Sequence, residues 1–172
     1  KICLQSTGHI LRTMELADAA LDWGGWLANP TTARLLNATP QVLSLEDKQA
    51  YIAKFDSEAA HLLGIWEKSS NRLVGFWSIY VNEIIGEFLL NVLVGVDDAR
   101  AKGAQDDTCD LIYEHFFDRL GMKAVRCSVS QSNEKMIAHL TQRRWTRIGS
   151  SEKESATGGR PINIYLFRLS RE

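Results

Sequence analysis

The sequence predicts one α/β domain, a mixed sheet of about seven strands with helices on both faces. Three observations lead there. Alternating or near-continuous apolar runs recur along the chain, and segments of helical spacing separate them. No internal repeat, low-complexity stretch or linker divides the chain. Its 172 residues, 45% apolar and 24% charged, suit a single globular unit.

The elements follow in order. Residues 8–16, GHILRTMEL, read as a short first strand. ADAALDWGGWLANP reads as helical and stops before Pro30, because the residue before a proline is pushed out of the helical region. Ser44 caps the next helix, with Asp47 at the capping-box position and Ala50, Ile52, Ala53 and Phe55 on its apolar side. HLLGIWE and LVGFWSIYV are strands joined by the hairpin loop KSSNR. EFLLNVLVGV is so continuously apolar that it predicts a strand buried on both faces. Residues 105–119 have helical spacing at Leu111, Ile112 and Phe116. MKAVRCSVS is a further strand, and NEKMIAHLTQRR is a helix capped by Asn133. WTRIG is a strand, SSEKESATGGRP a polar loop, and INIYLFRL an alternating last strand with the pattern of one that can pair across a homodimer; the sequence leaves monomer and dimer open.

Composition narrows the function. A net charge of −1 provides no global field for nucleic acid or an anionic membrane, although Arg143, Arg144 and Arg147 cluster, as at a solvated helix end. No apolar run approaches the roughly 18 residues of a membrane span, and KICLQSTGHILR carries no signal-peptide pattern. Cys3, Cys109 and Cys127 have the spacing of neither a zinc site nor a disulfide framework, so the expectation is reduced thiols, a cytoplasmic location and no metal. Cys127 falls in an apolar run and reads as core; Cys109 fits core or surface.

The informative stretch is VLVGVDDARAKGAQDD, where a strand hands over to a helix through a cationic turn with one glycine. Such a turn exposes unpaired N–H groups at a helix start, which attract phosphate, and Arg100 and Lys102 add charge. Glycine permits close approach or a positive φ. The turn is neither a Walker A loop nor a G-x-G-x-x-G fingerprint, and taken alone it reads more readily as a glycine that merely turns the chain.

The whole order of elements, from HILRTM to IYLFRL, resembles the GNAT superfamily of acetyl-coenzyme A dependent N-acetyltransferases, and within it the Rim-type group that acetylates protein N-terminal amines and some small amines. The resemblance implies a mixed, mostly antiparallel sheet and acetyl-coenzyme A as co-substrate. The family turn runs Gln/Arg-x-x-Gly-x-Gly/Ala; by resemblance, Arg100, Ala101, Lys102, Gly103, Ala104 and Gln105 cradle the pyrophosphate. Asn133 matches the asparagine that lies near the pantetheine arm, Trp145 the aromatic leading into the following strand, and WLANPTTARLL the family's tryptophan-containing opening. Departures are Gln105 for Gly or Ala, the extra acid Asp106 before Asp107, Arg144 for glycine, and Leu140 for the tyrosine that returns a proton to the leaving thiolate.

The chemistry needs a polarising N–H, which the resemblance places around Leu93, Val94, Gly95 and Val96, and a base for the amine proton. Glu87 is the first expectation for that base and Glu83 the second; both also fit solvated hairpin carboxylates. Asn91 either holds a water in the cleft or satisfies a buried backbone group. Ser128 and Ser130 read as ordinary strand residues, with lining of the cleft as the alternative. His9, His61, His115 and His139 read as structural or surface residues. Trp23 and Trp26 are expected to wall the acceptor groove, and Trp66 and Trp77 to be core. The function expected is acetyl transfer to a primary amine, on a protein N-terminus or a small molecule, by direct attack on the thioester. The alternatives are a non-catalytic coenzyme A-sensing or partner-binding GNAT-like module, supported by Gln105, Asp106 and Leu140, and an unrelated phosphate-binding domain.

Overall fold

The architecture was obtained as a computed structural model, which describes residues 1–171. Its strands are β1 (Cys3–Gln5), β2 (His9–Thr13), β3 (Ala60–Glu67), β4 (Arg72–Asn82), β5 (Glu87–Val94), β6 (Ala124–Ser130), β7 (Thr146–Lys153) and β8 (Ile162–Ser170). Its helices are α1 (Pro30–Leu35), α2 (Leu45–Ile52), α3 (Asp97–Ala101), α4 (Ala104–Tyr113) and α5 (Glu134–Gln142). One eight-stranded sheet runs β1-β2-β3-β4-β5-β6-β8-β7, antiparallel everywhere except β5 to β6. Helices cover both faces. Ile112, Phe116 and Leu140 pack on one side with Leu63, Ile79 and Phe88; Trp23, Ile52, Trp66 and Phe76 form a second cluster on the other.

The parallel pair positions the site. β5 and β6 are in register only at Glu87↔Ala124, Phe88↔Val125 and Leu89↔Arg126, whereas β5 pairs with β4 as far as Val94. The two strands therefore part after Leu89 and leave a wedge between them. Gly95 N–H donates to Val74 O at 2.9 Å. By strand alternation, Leu93 and Asn91 also turn their N–H groups to β4, and Val92 and Val94 turn theirs into the wedge.

Several expectations needed correction. The first strand is two, because residues 3–5 are too few to show a periodicity but pair with residues 10–12. The helix expected before Pro30 is instead two 3₁₀ turns, Leu16–Ala20 and Trp26–Ala28, interrupted by Gly24 and Gly25. Gly24 is required there, since a Cβ would meet Leu43 O at 2.5 Å. Pro30 starts α1 rather than following a helix. Asn29 is extended, as a pre-proline residue should be, but acts as N-cap to Thr31 and Thr32, and Pro30 at the first position loses no hydrogen bond. Residues 97–101 form a helical turn that the sequence did not show. β5 is not buried throughout: Leu89 and Asn91 are exposed. β7 runs to Lys153 and takes the start of the expected polar loop. The capping box of Ser44 and Asp47 forms as read, and Asn133 Oδ1 accepts from Met136 N at 3.2 Å.

Candidate active site

Three connected cavities surround the wedge, and Val92 and Leu36 line all of them. The first, about 430 Å³, lies on the α2 side and is walled by Trp23, Trp26, Tyr51 and Phe76. The second, about 110 Å³, lies inside the wedge between Leu90, Cys109, Tyr113, Cys127, Val129 and Trp145. The third, about 460 Å³, opens over the turn, beside Arg100, Gly103, Gln105, Asn133 and Lys135. Asn91 borders the first two cavities; Gln105, Asn133 and His139 border the second and third.

The turn is built around Gly103, whose φ of 75° is left-handed and which stands as N-cap to α4. A Cβ there would meet nothing within 4 Å, so the space above the glycine is open. Gly103 N bonds to Arg100 O at 3.1 Å. The N–H groups of Ala104, Gln105 and Asp106 begin α4 without intrahelical acceptors. That concavity, with Lys135 on its far wall, suits a diphosphate. The two cations singled out from sequence behave differently. Arg100 stays at the cavity but is folded back: Nε donates to Val94 O at 2.6 Å and Nη2 to Thr32 Oγ1 at 3.3 Å. It also pairs with Asp97 at 2.9 Å. Lys102 leaves the cavity altogether. Its Nζ lies 2.8 Å from Glu67 and 3.5 Å from Asp98. Lys135 occupies the cavity wall instead. Ala101 ends α3, Ala104 is fully buried, and Val96 O accepts from Arg100 N.

Of the departing residues, Gln105 and Asp106 line the third cavity but are engaged by α5, and Leu140 lies outside it. Asp107 accepts from Ser6 Oγ and pairs with His9 Nδ1 at 2.6 Å, which ties α4 to the first hairpin. Burial alone would raise its pKa, but the hydrogen bonds from Ser6 and His9 outweigh it and hold the carboxyl low. Asp106 lies 3.2 Å from His139 Nε2, and Gln105 Nε2 approaches Met136 Sδ at 3.5 Å. Leu140 is buried against the inner chamber.

Glu87 sits at the closed end of the wedge and lines none of the three cavities. It is 2.6 Å from Arg126 and 3.0 Å from Arg168. Desolvation pulls its pKa up, but the two arginines win and hold it below the carboxylate range. A base needs access and affinity for a proton, and Glu87 has neither here. Glu83 lies in the exposed β4–β5 turn. Asn91 is exposed to the cleft rather than serving a buried backbone group, and it lies opposite Ser78 on β4. Ser78 lines the acceptor side with it. Ser128 borders the inner chamber, whereas Ser130 bonds Ser132 at 2.9 Å.

Trp23 is buried, donating to Asp18 O at 3.0 Å. Trp26 stacks on Phe76 with centroids 5.9 Å apart and lies on Gly95. Trp66 and Trp77 are core, and Trp77 Nε1 donates to Thr108 at 2.8 Å. His61 and His115 meet Phe116 edge-on, away from the cleft. Sequence reasoning missed Tyr51, Phe76 and Lys135, and it read His139 as a structural or surface residue. Nothing local marks the first three; only the fold assembles them. Burial pushes the thiols of Cys109 and Cys127 up to about 12, and it raises the Tyr113 phenol as well. Among the described residues no cluster of three or more His, Cys, Asp or Glu is placed to hold a metal, and no helix is long and apolar enough to cross a membrane.

Comparison with known proteins agrees with this geometry. The family model described as the acetyltransferase (GNAT) domain matches residues 9–142. No curated protein matches by sequence. Spermidine N-acetyltransferase from Vibrio cholerae, solved with CoA and spermine, superposes with a TM-score of 0.80 at 15% identity, over 96% of each chain. An acetyl transferase from Salmonella typhimurium that modifies the N-terminal serine of a 50S ribosomal subunit protein gives 0.81 at 14% identity, over 97% of each chain. A ribosomal-protein alanine acetyltransferase from Vibrio fischeri gives 0.80 at 11% identity, over 99% of this chain and 97% of that one.

Proposed function

Because the chain belongs to the GNAT acetyltransferase family, we propose that it transfers the acetyl group of acetyl-coenzyme A to a primary amine by direct attack, without an acyl-enzyme. The observation that carries this reading is the parting of β5 from β6, which leaves Val92 N–H unpaired where all three cavities meet. The coenzyme supplies an activated acyl group: a neutral amine forms the C–N bond, the C–S bond breaks, and the amine's proton ends on sulfur. Val92 N–H stands where it can polarise the acyl carbonyl, and Val94 N–H lies two residues further on the same side. Ala104, Gln105 and Asp106 N–H groups, with Lys135, would hold the diphosphate, and Asn133 would border the arm. Holding acceptor and acyl group together is worth several kcal/mol.

Two features favour direct attack. Both cleft thiols are held at about 12, so neither is a thiolate nucleophile near neutral pH. Among the described residues the carboxylates that line the cavities are Asp47, bonded to Ser44, and Asp106, beside His139, and Asn91 with Ser78 offers amide and hydroxyl groups that hold a water to carry off the amine's proton. His139, beside Asp106 and between two cavities, is placed to return a proton to sulfur in place of the tyrosine that Leu140 replaces. Acceptor amines fitting this reading are a small-molecule amine or a protein N-terminus.

The test is a thermal shift followed by thiol release. At a hundredfold excess over Kd, acetyl-coenzyme A should add about 2.7 kcal/mol, a rise of roughly 5–10 °C. Gly103→Trp should abolish that rise by filling the open concavity. No shift at millimolar coenzyme overturns the reading. A shift without thiol release from any amine would favour a coenzyme-sensing module.

A further inference from the structure

The acceptor cavity is chemically one-sided. Trp23, Trp26, Tyr51 and Phe76 form a continuous aromatic wall, with centroid separations of 5.6 to 6.4 Å between its neighbouring rings. Its volume of about 430 Å³ suits a small molecule. Among the described residues Asp47 is the single carboxylate lining it, and its Oδ2 accepts from Ser44 N at 3.0 Å. Lys54, also on the rim, has no ion pair among the described residues, and its ammonium sits 5.8 Å from the Tyr51 ring. Asp47 and Lys54 offset one another, so the mouth lacks the acidic excess that would collect a polycation.

A roof limits access as well. Leu36, Ala38 and Gln41, which line the cavity, flank a loop fastened to the β7–β8 connection. Asn37 Nδ2 donates to Glu154 O at 3.2 Å, Ala156 N donates to Asn37 Oδ1 at 2.9 Å, and Thr39 Oγ1 donates to Ala156 O at 3.1 Å. A small acceptor fits beneath this roof more readily than the terminus of a folded protein.

We infer that the acceptor is a small monoamine with an aromatic or bulky apolar body, taken up with that body against Trp26 and Phe76 and its nitrogen toward Asn91. This rests on the acetyl-transfer reading and narrows it. The chemistry follows from the wall: four packed aromatic rings offer a large apolar surface to an aromatic or bulky apolar body, and one carboxylate on the rim is fewer than a polyamine's several ammonium groups would need. A polyamine would have to bring a second positive charge past Lys54.

The experiment uses the full chain and three probes: 2-phenylethylamine, spermidine and a hexapeptide with a free N-terminus. Thiol release should give 2-phenylethylamine a kcat/KM at least about tenfold above the other two, the scale of one aromatic contact. Equal or higher values for spermidine or the peptide overturn the inference. Binding is read separately: with coenzyme A present as a spectator, 2-phenylethylamine should quench tryptophan fluorescence. Quenching without thiol release from any amine sinks the transfer reading and leaves the acceptor class standing. Thiol release with spermidine and no quenching by 2-phenylethylamine does the reverse. Trp26→Ala should weaken the quenching titration about tenfold. Since that variant can lose stability, exposed Lys54→Glu is the second arm. It should raise the ratio of kcat/KM for spermidine to that for 2-phenylethylamine several-fold. An unchanged ratio between the two amines counts against the inference.

Discussion

Gly95→Ala is the most direct probe of how the end of β5 meets the acceptor wall. An ideal Cβ at residue 95 falls 1.9 Å from Cδ2 of Trp26 and 2.2 Å from its Cγ. Carbon atoms rest at about 3.5–4.0 Å, so the indole must retreat by about 2 Å. The φ of Gly95 is not left-handed, so the backbone accepts alanine and its N–H bond to Val74 survives. The cost is therefore packing: roughly 1–3 kcal/mol, offset by about 0.4–1 kcal/mol from the stiffer unfolded chain. The net loss of up to about 2.6 kcal/mol corresponds to a midpoint fall of up to roughly 10 °C. Acceptor KM should rise, while the coenzyme-induced thermal shift is kept, since the phosphate turn is not touched. Urea denaturation of Gly95→Ala, Trp26→Ala and the double variant isolates the cause. With the indole gone, alanine at residue 95 should cost nothing, giving a favourable coupling of at least about 1 kcal/mol. Additive losses within about 0.5 kcal/mol would refute a steric link between the two residues.

The remaining predictions concern the cleft and its supports. His139→Gln should lower kcat about a hundredfold with acetyl-coenzyme A KM unchanged; an undiminished kcat would remove His139 from the proton path. Asn133→Ala deletes the α5 cap and should cost about 1 kcal/mol, read as a fall of roughly 2–4 °C in Tm. Glu67 is held down at about 2, first by the hydrogen bond from Lys102 and then by Ser70. Its pKa is depressed in the fold, so its stabilisation is present above 4.5 and drains away as pH falls toward 2. Glu67→Gln should flatten the stability curve across that window, and an acid limb identical to wild type would show that the pair contributes nothing.

Ser44, Asp47 and Asn133 were legible from sequence because a cap acts within three residues of itself. Gly103 was legible because a strand-to-helix turn announces its need for a left-handed residue. Pro30 misled because the pre-proline rule constrains residue 29 without saying whether a helix ends or begins there. Residues 97–101 are one turn long, too short for any periodicity. The acceptor wall was half visible: Trp23 and Trp26 stood out by type, but Tyr51 and Phe76 come from a helix and a strand whose local patterns say only that they are apolar. Lys102 looked like a phosphate ligand because its partner, Glu67, lies 35 residues earlier in the chain and is joined to it only by the fold. Glu87 looked like a base for the same reason: neither Arg126 nor Arg168 is near it in sequence.

The Glu87 cluster has a mechanical side. One carboxylate on β5 grips an arginine on β6 and another on β8 at the paired base of the two parallel strands, two residues before they diverge after Leu89. From Leu89 to Val92 the strand runs three residues, about 10 Å of lever arm. A rotation of about 5° at the point of divergence would swing the far end by about 0.9 Å, on a scale where about 1 Å of misplacement can cost a hundredfold in rate. An inactive Glu87 variant would therefore imitate the loss of a catalytic base while reporting a sprung hinge.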